Sequence, residues 1–190
     1  MLDLRNFGES DGTPEGITYG DLEMNDVVGA VDFLAARAPT LPVAAIGFSM
    51  GGATALRAAA RDHRLRAVVA DSAYADARGV AASFTSAATG IPALFAAPFV
   101  WSAQYLHGVP LARGATVEAL RGATLPPVLL IHGERDDLIP AQALFMAAQT
   151  LAALDIPVEW HLSPGIGHGI DAEGLRHGGE FLARAFRLTA

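Results

Sequence analysis

A serine between glycines, a pair of aspartates and a late histidine have the residue types that nucleophilic catalysis requires. Ser49 lies in the run GFSMGG, which follows the apolar run LPVAAI and precedes ATALRAAAR. G-x-S-x-G between a strand and a helix is the pattern of a nucleophile elbow, a sharp turn that raises the serine hydroxyl above a sheet. The backbone N–H of Met50 would then face a developing oxyanion. The same sequence also fits a turn between two glycines whose serine takes no part in catalysis.

A serine hydroxyl is a weak nucleophile at neutral pH, so it needs a base and an acid that orients the base. Asp136 and Asp137 follow an apolar run in VLLIHGERDDLIP, and His168 lies in the glycine-rich segment LSPGIGHG. The order serine, aspartate, histidine is typical of one particular serine-hydrolase fold. Both aspartates remain candidates for the acid at this point.

Short apolar runs alternate with longer segments of helical period, which predicts βαβ units and a mostly parallel sheet of about five strands flanked by helices. We predict strands at residues 1–4, 43–47, 67–71, 128–132 and 158–162. The first helix is predicted to begin at TYGD, with Thr18 as its cap. Residues 1–190 are predicted to form one α/β domain, and residues 76–124 a helical insertion with helices near 76–87 and 92–106.

Composition limits the possible functions. With 190 residues and 52% hydrophobic side chains, the chain can bury one core. A net charge of −7 argues against nucleic acid as a partner. No apolar run approaches a membrane span of roughly 20 residues. No signal peptide is recognisable at the start of the chain, so a cytoplasmic location is expected. The chain has no cysteine and no H-E-x-x-H motif, so we expect neither a metal site nor a cofactor.

The predicted insertion is rich in apolar and aromatic residues. Phe95, Phe99 and Trp101 are the members that we expect to line a substrate pocket above Ser49. An insertion that acts as a small lid would suit uncharged esters of modest size. The alternative is that these residues only attach the insertion to the core.

The sequence resembles the α/β-hydrolase superfamily, close to its single-domain esterases and prolyl-oligopeptidase-like members. The resemblance is carried by DLRNFGESDG, IGFSMGGATAL, VVADSAYAD, HGERDDLIP and PGIGHG. It implies a catalytic triad of Ser49, Asp136 and His168, because Ile139 and Pro140 follow Asp136 at the family's H-G-x-x-D-x-x-(V/I)-P spacing. Asp137 is then expected to be structural or to face solvent, and the aspartate of DSAY, Asp71, is a minor rival for the acid.

The chain departs from the family pattern at its N-terminal side. The segment that resembles the family's fourth strand is at residues 1–4, so the first three strands have no counterpart, and the loop after the third normally supplies a second oxyanion donor. Two hypotheses follow: a serine esterase that acts through Ser49, or a catalytically weak or silent α/β-hydrolase-like fragment or binding module. We also expect that a second copy of the chain could complete the sheet, which would make the protein a homo-oligomer.

Overall fold

The structure is a computed structural model that describes residues 1–108 and 110–187. Its strands are β1 (Val43–Phe48), β2 (Leu65–Asp71), β3 (Val128–Gly133) and β4 (Val158–Ser163). The helices are α1 (Met24–Arg37), α2 (Met50–Arg61), α3 (Ala77–Thr89), α4 (Ala93–His107), α5 (Thr116–Ala119), α6 (Gln142–Ala153) and α7 (Ala172–Arg187), with a 3₁₀ turn at Leu111–Gly114. The predicted α/β class is confirmed.

The four strands form one parallel sheet in the order β1, β2, β3, β4. Apart from the exposed Arg66, the residues of β2 and β3 are buried, and most of them are apolar, as expected for strands covered on both faces. One face packs against residues of α1, α2 and α6, and the other against α7. Because the strands are parallel, their carboxyl ends lie at one end of the sheet. The loops after β1, β3 and β4 leave from this end.

The prediction of a strand at residues 1–4 is wrong. This segment has no regular structure and lies across a groove of about 1160 Å³ from β1. Arg5 holds it to α1, because its guanidinium lies 2.6 Å from the Asp26 carboxylate. A strand needs a neighbouring backbone for its N–H and C=O groups, and here the groove separates the two segments. β1 is therefore an edge strand of the described sheet.

The predicted helix start at Thr18 is also wrong. Helix α1 begins at Met24, and the Thr18 hydroxyl instead accepts a hydrogen bond from the Leu22 N–H at 2.8 Å. The buried Glu23 carboxylate accepts from the Thr18 N–H (2.7 Å), the Thr18 hydroxyl (2.6 Å) and the Gly20 N–H (2.9 Å). Tyr19 and Gly20 have positive φ angles of 56° and 98°, so the chain turns here before the helix begins.

The insertion contains the two helices predicted near 76–87 and 92–106, which occur as α3 and α4. Asp76 caps α3 by accepting from the Arg78 N–H at 2.9 Å. Val100 of α4 and Ala77 of α3 pack into a cluster with Tyr74 and Ile139. This cluster joins the insertion to the body of the domain.

None of the helices in residues 1–108 and 110–187 has both the length and the apolar character needed to cross a membrane.

The Glu23 interactions yield a stability prediction. Glu23→Ala removes the acceptor of buried N–H groups, so we expect the free energy of unfolding to fall by roughly 1–3 kcal/mol. Urea unfolding followed by circular dichroism measures this change. Glu15→Ala, a matched change at an exposed glutamate, should shift the free energy of unfolding by no more than about 0.5 kcal/mol. Equal effects of the two substitutions would contradict the assignment.

The open edge of β1 yields a second prediction. Its unpaired N–H and C=O groups favour pairing with another strand, so we expect concentration-dependent self-association in sedimentation velocity experiments. Ile46 of β1 is 61% exposed, and Ile46→Lys should shift the distribution towards monomer because lysine disfavours edge-to-edge pairing. Met146→Lys, at a 67% exposed position in α6, is the matched control. A wild-type chain that stays monomeric at all concentrations would refute the prediction.

Candidate active site

Ser49 lies at the turn between β1 and α2 in a strained backbone conformation. Its φ and ψ angles are 51° and −117°, a region that non-glycine residues rarely adopt, at a cost of order 1–3 kcal/mol. The Ser49 N–H donates to the Asp71 carbonyl at 2.8 Å, which fixes the turn to β2. A Cβ at Gly47 would overlap the Gly51 carbonyl, so only glycine fits there. The structure thus contains the sharp turn that the sequence predicted.

His168 connects Ser49 to Asp136. Its Nε2 atom is 3.0 Å from the Ser49 hydroxyl oxygen, and its Nδ1 atom is 2.8 Å from Asp136 Oδ2. The three residues come from the loops after β1, β3 and β4. With a proton on Nδ1 that is donated to Asp136, Nε2 can accept the hydroxyl proton of Ser49.

Asp136 is held by its own loop. Its side chain is fully buried, and Oδ1 accepts from the N–H groups of Leu138 (3.0 Å) and Ile139 (2.8 Å). These bonds orient the other oxygen, Oδ2, towards His168. Asp137, by contrast, is exposed to solvent.

Two further buried polar residues, His132 and Asp71, lie near this arrangement. His132 is buried, and its Nε2 donates to the Ile139 carbonyl at 2.8 Å and lies 3.4 Å from Asp136 Oδ2. It therefore holds the loop that carries Asp136. The Asp71 carboxylate accepts from the Ser72 hydroxyl at 3.0 Å, and burial raises its pKa. Among the candidate acids, the hydrogen bond to His168 is made by Asp136.

Two contacts that sequence analysis did not identify position His168. The Phe48 ring lies 5.0 Å from the imidazole, centroid to centroid, at an angle of 47°. A Cβ at Gly133 would overlap the carbonyl oxygens of Ile166 and Gly167, so this glycine allows the histidine loop to pass close to β3. In the sequence, both contacts could have been suspected from position alone, since Phe48 directly precedes Ser49 and Gly133 directly follows His132.

Met50 is the first residue of α2. The first N–H groups of a helix have no partner within it, and the helix dipole favours negative charge at this end. That geometry is compatible with an oxyanion donor, and the role of Met50 stays a prediction.

Phe95, Phe99 and Trp101, the predicted pocket residues, are exposed in the structure. Buried positions of α4 are instead held by the smaller residues Ala96 and Val100. Trp101 stacks on Tyr105 at 5.4 Å, as expected for residues one turn apart. A pocket above Ser49 lined by these aromatic residues stays a prediction.

One group of side chains in the described part of the chain could hold a metal ion. It consists of His161 in β4 and of Glu173 and His177 in α7. The prediction of no metal site rested on local motifs, and this group brings together residues from two separate elements.

Comparison with known proteins gives a consistent family match. The model of the prolyl oligopeptidase family matches residues 17–187. The uncharacterized protein YfhR of Salmonella typhi is 31% identical over 146 residues, which are 75% of this chain and 46% of that protein. Acyl-protein thioesterase 1 of Gibberella zeae is 34% identical over 58 residues, which are 30% of this chain and 25% of that protein. The chain thus spans about half the length of the YfhR relative.

Solved structures share the fold. The esterase Pf2001 of Pyrococcus furiosus aligns with a TM-score of 0.74 at 24% identity, over 97% of this chain and 68% of that one. The esterase PE8 aligns with a TM-score of 0.60 at 25% identity, over 87% of this chain and 61% of that one. The predicted resemblance to the α/β hydrolases is confirmed.

The two aspartates can be distinguished by mutation. We expect Asp136→Asn to slow the reaction of Ser49 with a fluorophosphonate strongly, because asparagine would favour the wrong histidine tautomer. In a well-studied triad that change costs about 10⁴-fold in turnover. Intact mass spectrometry over time measures the labelling rate. Asp137→Asn is the matched control and should label at nearly the wild-type rate. A larger loss in Asp137→Asn would reverse the assignment.

Proposed function

The chain belongs to the prolyl oligopeptidase family, and from that premise we propose that it is a serine hydrolase that cleaves carboxylic esters of small to medium size. The observation that carries the proposal is the hydrogen-bonded series from Asp136 through His168 to Ser49, with separations of 2.8 and 3.0 Å. These distances are within the reach required for a nucleophile, its base and the group that orients the base.

The proposed reaction has two halves. As Ser49 Oγ attacks the ester carbonyl carbon, its proton passes to His168 Nε2, and the carbonyl oxygen becomes an oxyanion near the Met50 N–H. His168 then donates that proton to the departing alkoxide, leaving an acyl group on Ser49. Water attacks the acyl-enzyme with His168 again as base, which releases the acid and restores the serine. Asp136 stabilises the imidazolium in both halves. These steps need no cofactor.

Esters are favoured over amides for a physical reason. An alkoxide departs more easily than an amine, so ester cleavage needs less stabilisation of the tetrahedral intermediate. The proposed site has one identified oxyanion donor, the Met50 N–H, and loss of one donor typically costs about 10²–10³-fold in turnover. The exposed aromatic residues of α4 suit uncharged acyl or alkyl groups, and the net charge of −7 disfavours anionic substrates. Two of the solved structures that share the fold are named as esterases.

A second candidate function is a binding module with little or no catalysis. The observation that favours it is the groove of about 1160 Å³ beside β1, at the side of the sheet where the family's oxyanion loop would lie. A site with one oxyanion donor could retain the triad geometry and still turn over slowly. The two functions differ in whether Ser49 becomes acylated.

The decisive test is the reactivity of Ser49. We expect one fluorophosphonate adduct per chain, mapped to Ser49, and measurable hydrolysis of an activated aryl ester with weaker hydrolysis of an alkyl ester. Ser49→Ala should lose both the adduct and the hydrolysis, while thermal unfolding shows that the fold remains. Ser102→Ala, which removes a hydroxyl bonded to the Phe99 carbonyl on α4, is the matched control and should keep both.

Hydrolysis retained in Ser49→Ala would refute the acyl-enzyme. Wild-type protein that forms no adduct would favour the binding module instead.

A further inference from the structure

Three side chains meet between β4 and α7, on the face of the sheet that α7 covers. His161 pairs in register with Ile131, whose side chain packs against α7, so His161 lies on that same face. Glu173 and His177 are four residues apart in α7 and therefore lie on one side of the helix. One ligand atom from each of the three lies within 4.8 Å of the others. The rings of His161 and His177 are 4.2 Å apart, centroid to centroid.

One ring nitrogen of His161 lacks a hydrogen-bond partner among the described residues. Its Nε2 atom is buried, and no hydrogen-bond partner for it occurs in the described residues. A buried polar atom without a partner costs roughly 1–3 kcal/mol, so such atoms usually have a ligand, a water molecule or another role. A metal ion bound at Nε2 would satisfy it.

A positively charged side chain, that of Arg176, already lies against two of these residues. The Arg176 guanidinium lies 3.2 Å from His177 Nε2 and 3.6 Å from the Glu173 carboxylate. Arg176 also binds Glu180 at 2.7 Å, and this second carboxylate can hold the guanidinium when it leaves the cluster. The site therefore combines two imidazoles and a carboxylate with a cation that can move aside.

We propose that His161, Glu173 and His177 form a binding site for a zinc ion. Zinc takes imidazole nitrogen and carboxylate oxygen ligands at about 2.0–2.2 Å, and three protein ligands with a water molecule complete its tetrahedral shell. Glu173 and His177 are 56% and 34% exposed, so their side chains can close around an ion held at the buried Nε2 atom of the partly buried His161. Two histidines and one carboxylate suit zinc better than magnesium or calcium, which prefer oxygen ligands.

The position of the site gives the ion a structural consequence. β4 and α7 flank the loop at residues 164–171, which carries His168. The base of this loop is closed by Asp171, whose Oδ1 accepts from the Ser163 hydroxyl (2.8 Å) and the Gly174 N–H (3.0 Å). Zinc would join the same two elements at a second point. It would therefore stabilise the fold, and this holds whether or not Ser49 is a nucleophile.

Zinc chloride added to chelator-treated, dialysed full-length chain tests the proposal. Equilibrium dialysis with elemental analysis should find one zinc ion per chain. At a free zinc concentration about 100 times Kd, the thermal midpoint Tm should rise by roughly 5–10 °C for a chain of this size. No saturable binding, or no change in Tm, would overturn the proposal.

Four variants locate the site. Glu173→Gln and His177→Ala each remove one ligand at an accessible position, and zinc affinity should fall by at least about tenfold, as even the loss of a supporting contact can do. His63→Ala, which removes an exposed histidine elsewhere, and His168→Ala, which removes the histidine beside Ser49, should keep the wild-type affinity. Wild-type affinity in His177→Ala, or an equal loss in either control, would overturn the assignment.

Discussion

Parallel pairing of the four strands fixes where every functional side chain lies. Phe48 pairs with Asp71, and Gly133 with Ser163, so the carboxyl ends of the strands lie together at one end of the sheet. The loops that follow β1, β3 and β4 leave from this end of the sheet. A shift of the register by one residue would turn the side chains of a strand to the opposite face. The hydrogen bonds between the strands therefore determine whether a base can reach the serine at all.

The turn at Ser49 depends on that pairing. Its backbone strain costs of order 1–3 kcal/mol and persists only where the surroundings hold it. The N–H bond to the Asp71 carbonyl and the close contact of Gly47 with Gly51 supply that support. The same logic applies to the histidine loop, which passes so close to β3 that only Gly133 fits beneath it. Small residues at strand ends allow the loops at this end of the sheet to lie close together.

The two sides of the sheet differ in how completely they are covered. β2 and β3 are buried on both faces, whereas β1 faces an open groove and has an exposed Ile46. An open edge favours association with another strand. At the opposite side, β4 and α7 bring together the group of His161, Glu173 and His177. The proposed self-association and the proposed binding of an ion thus involve separate regions.

Local signals in the sequence determined much of this molecule. The spacing of apolar residues and the positions of glycine and proline predicted the α/β class and four of its strands. The motifs around Ser49 and His168 predicted which loops would meet, because the carboxyl ends of parallel strands lie at the same end of a sheet. Contacts between distant segments were decided only by the tertiary structure. Residues 1–4 pair with no strand of the described sheet, from which a groove separates them, and Thr18 caps a turn because the Glu23 carboxylate folds back onto it. The group around His161 has no sequence signature, since its members become neighbours only when α7 packs on the sheet.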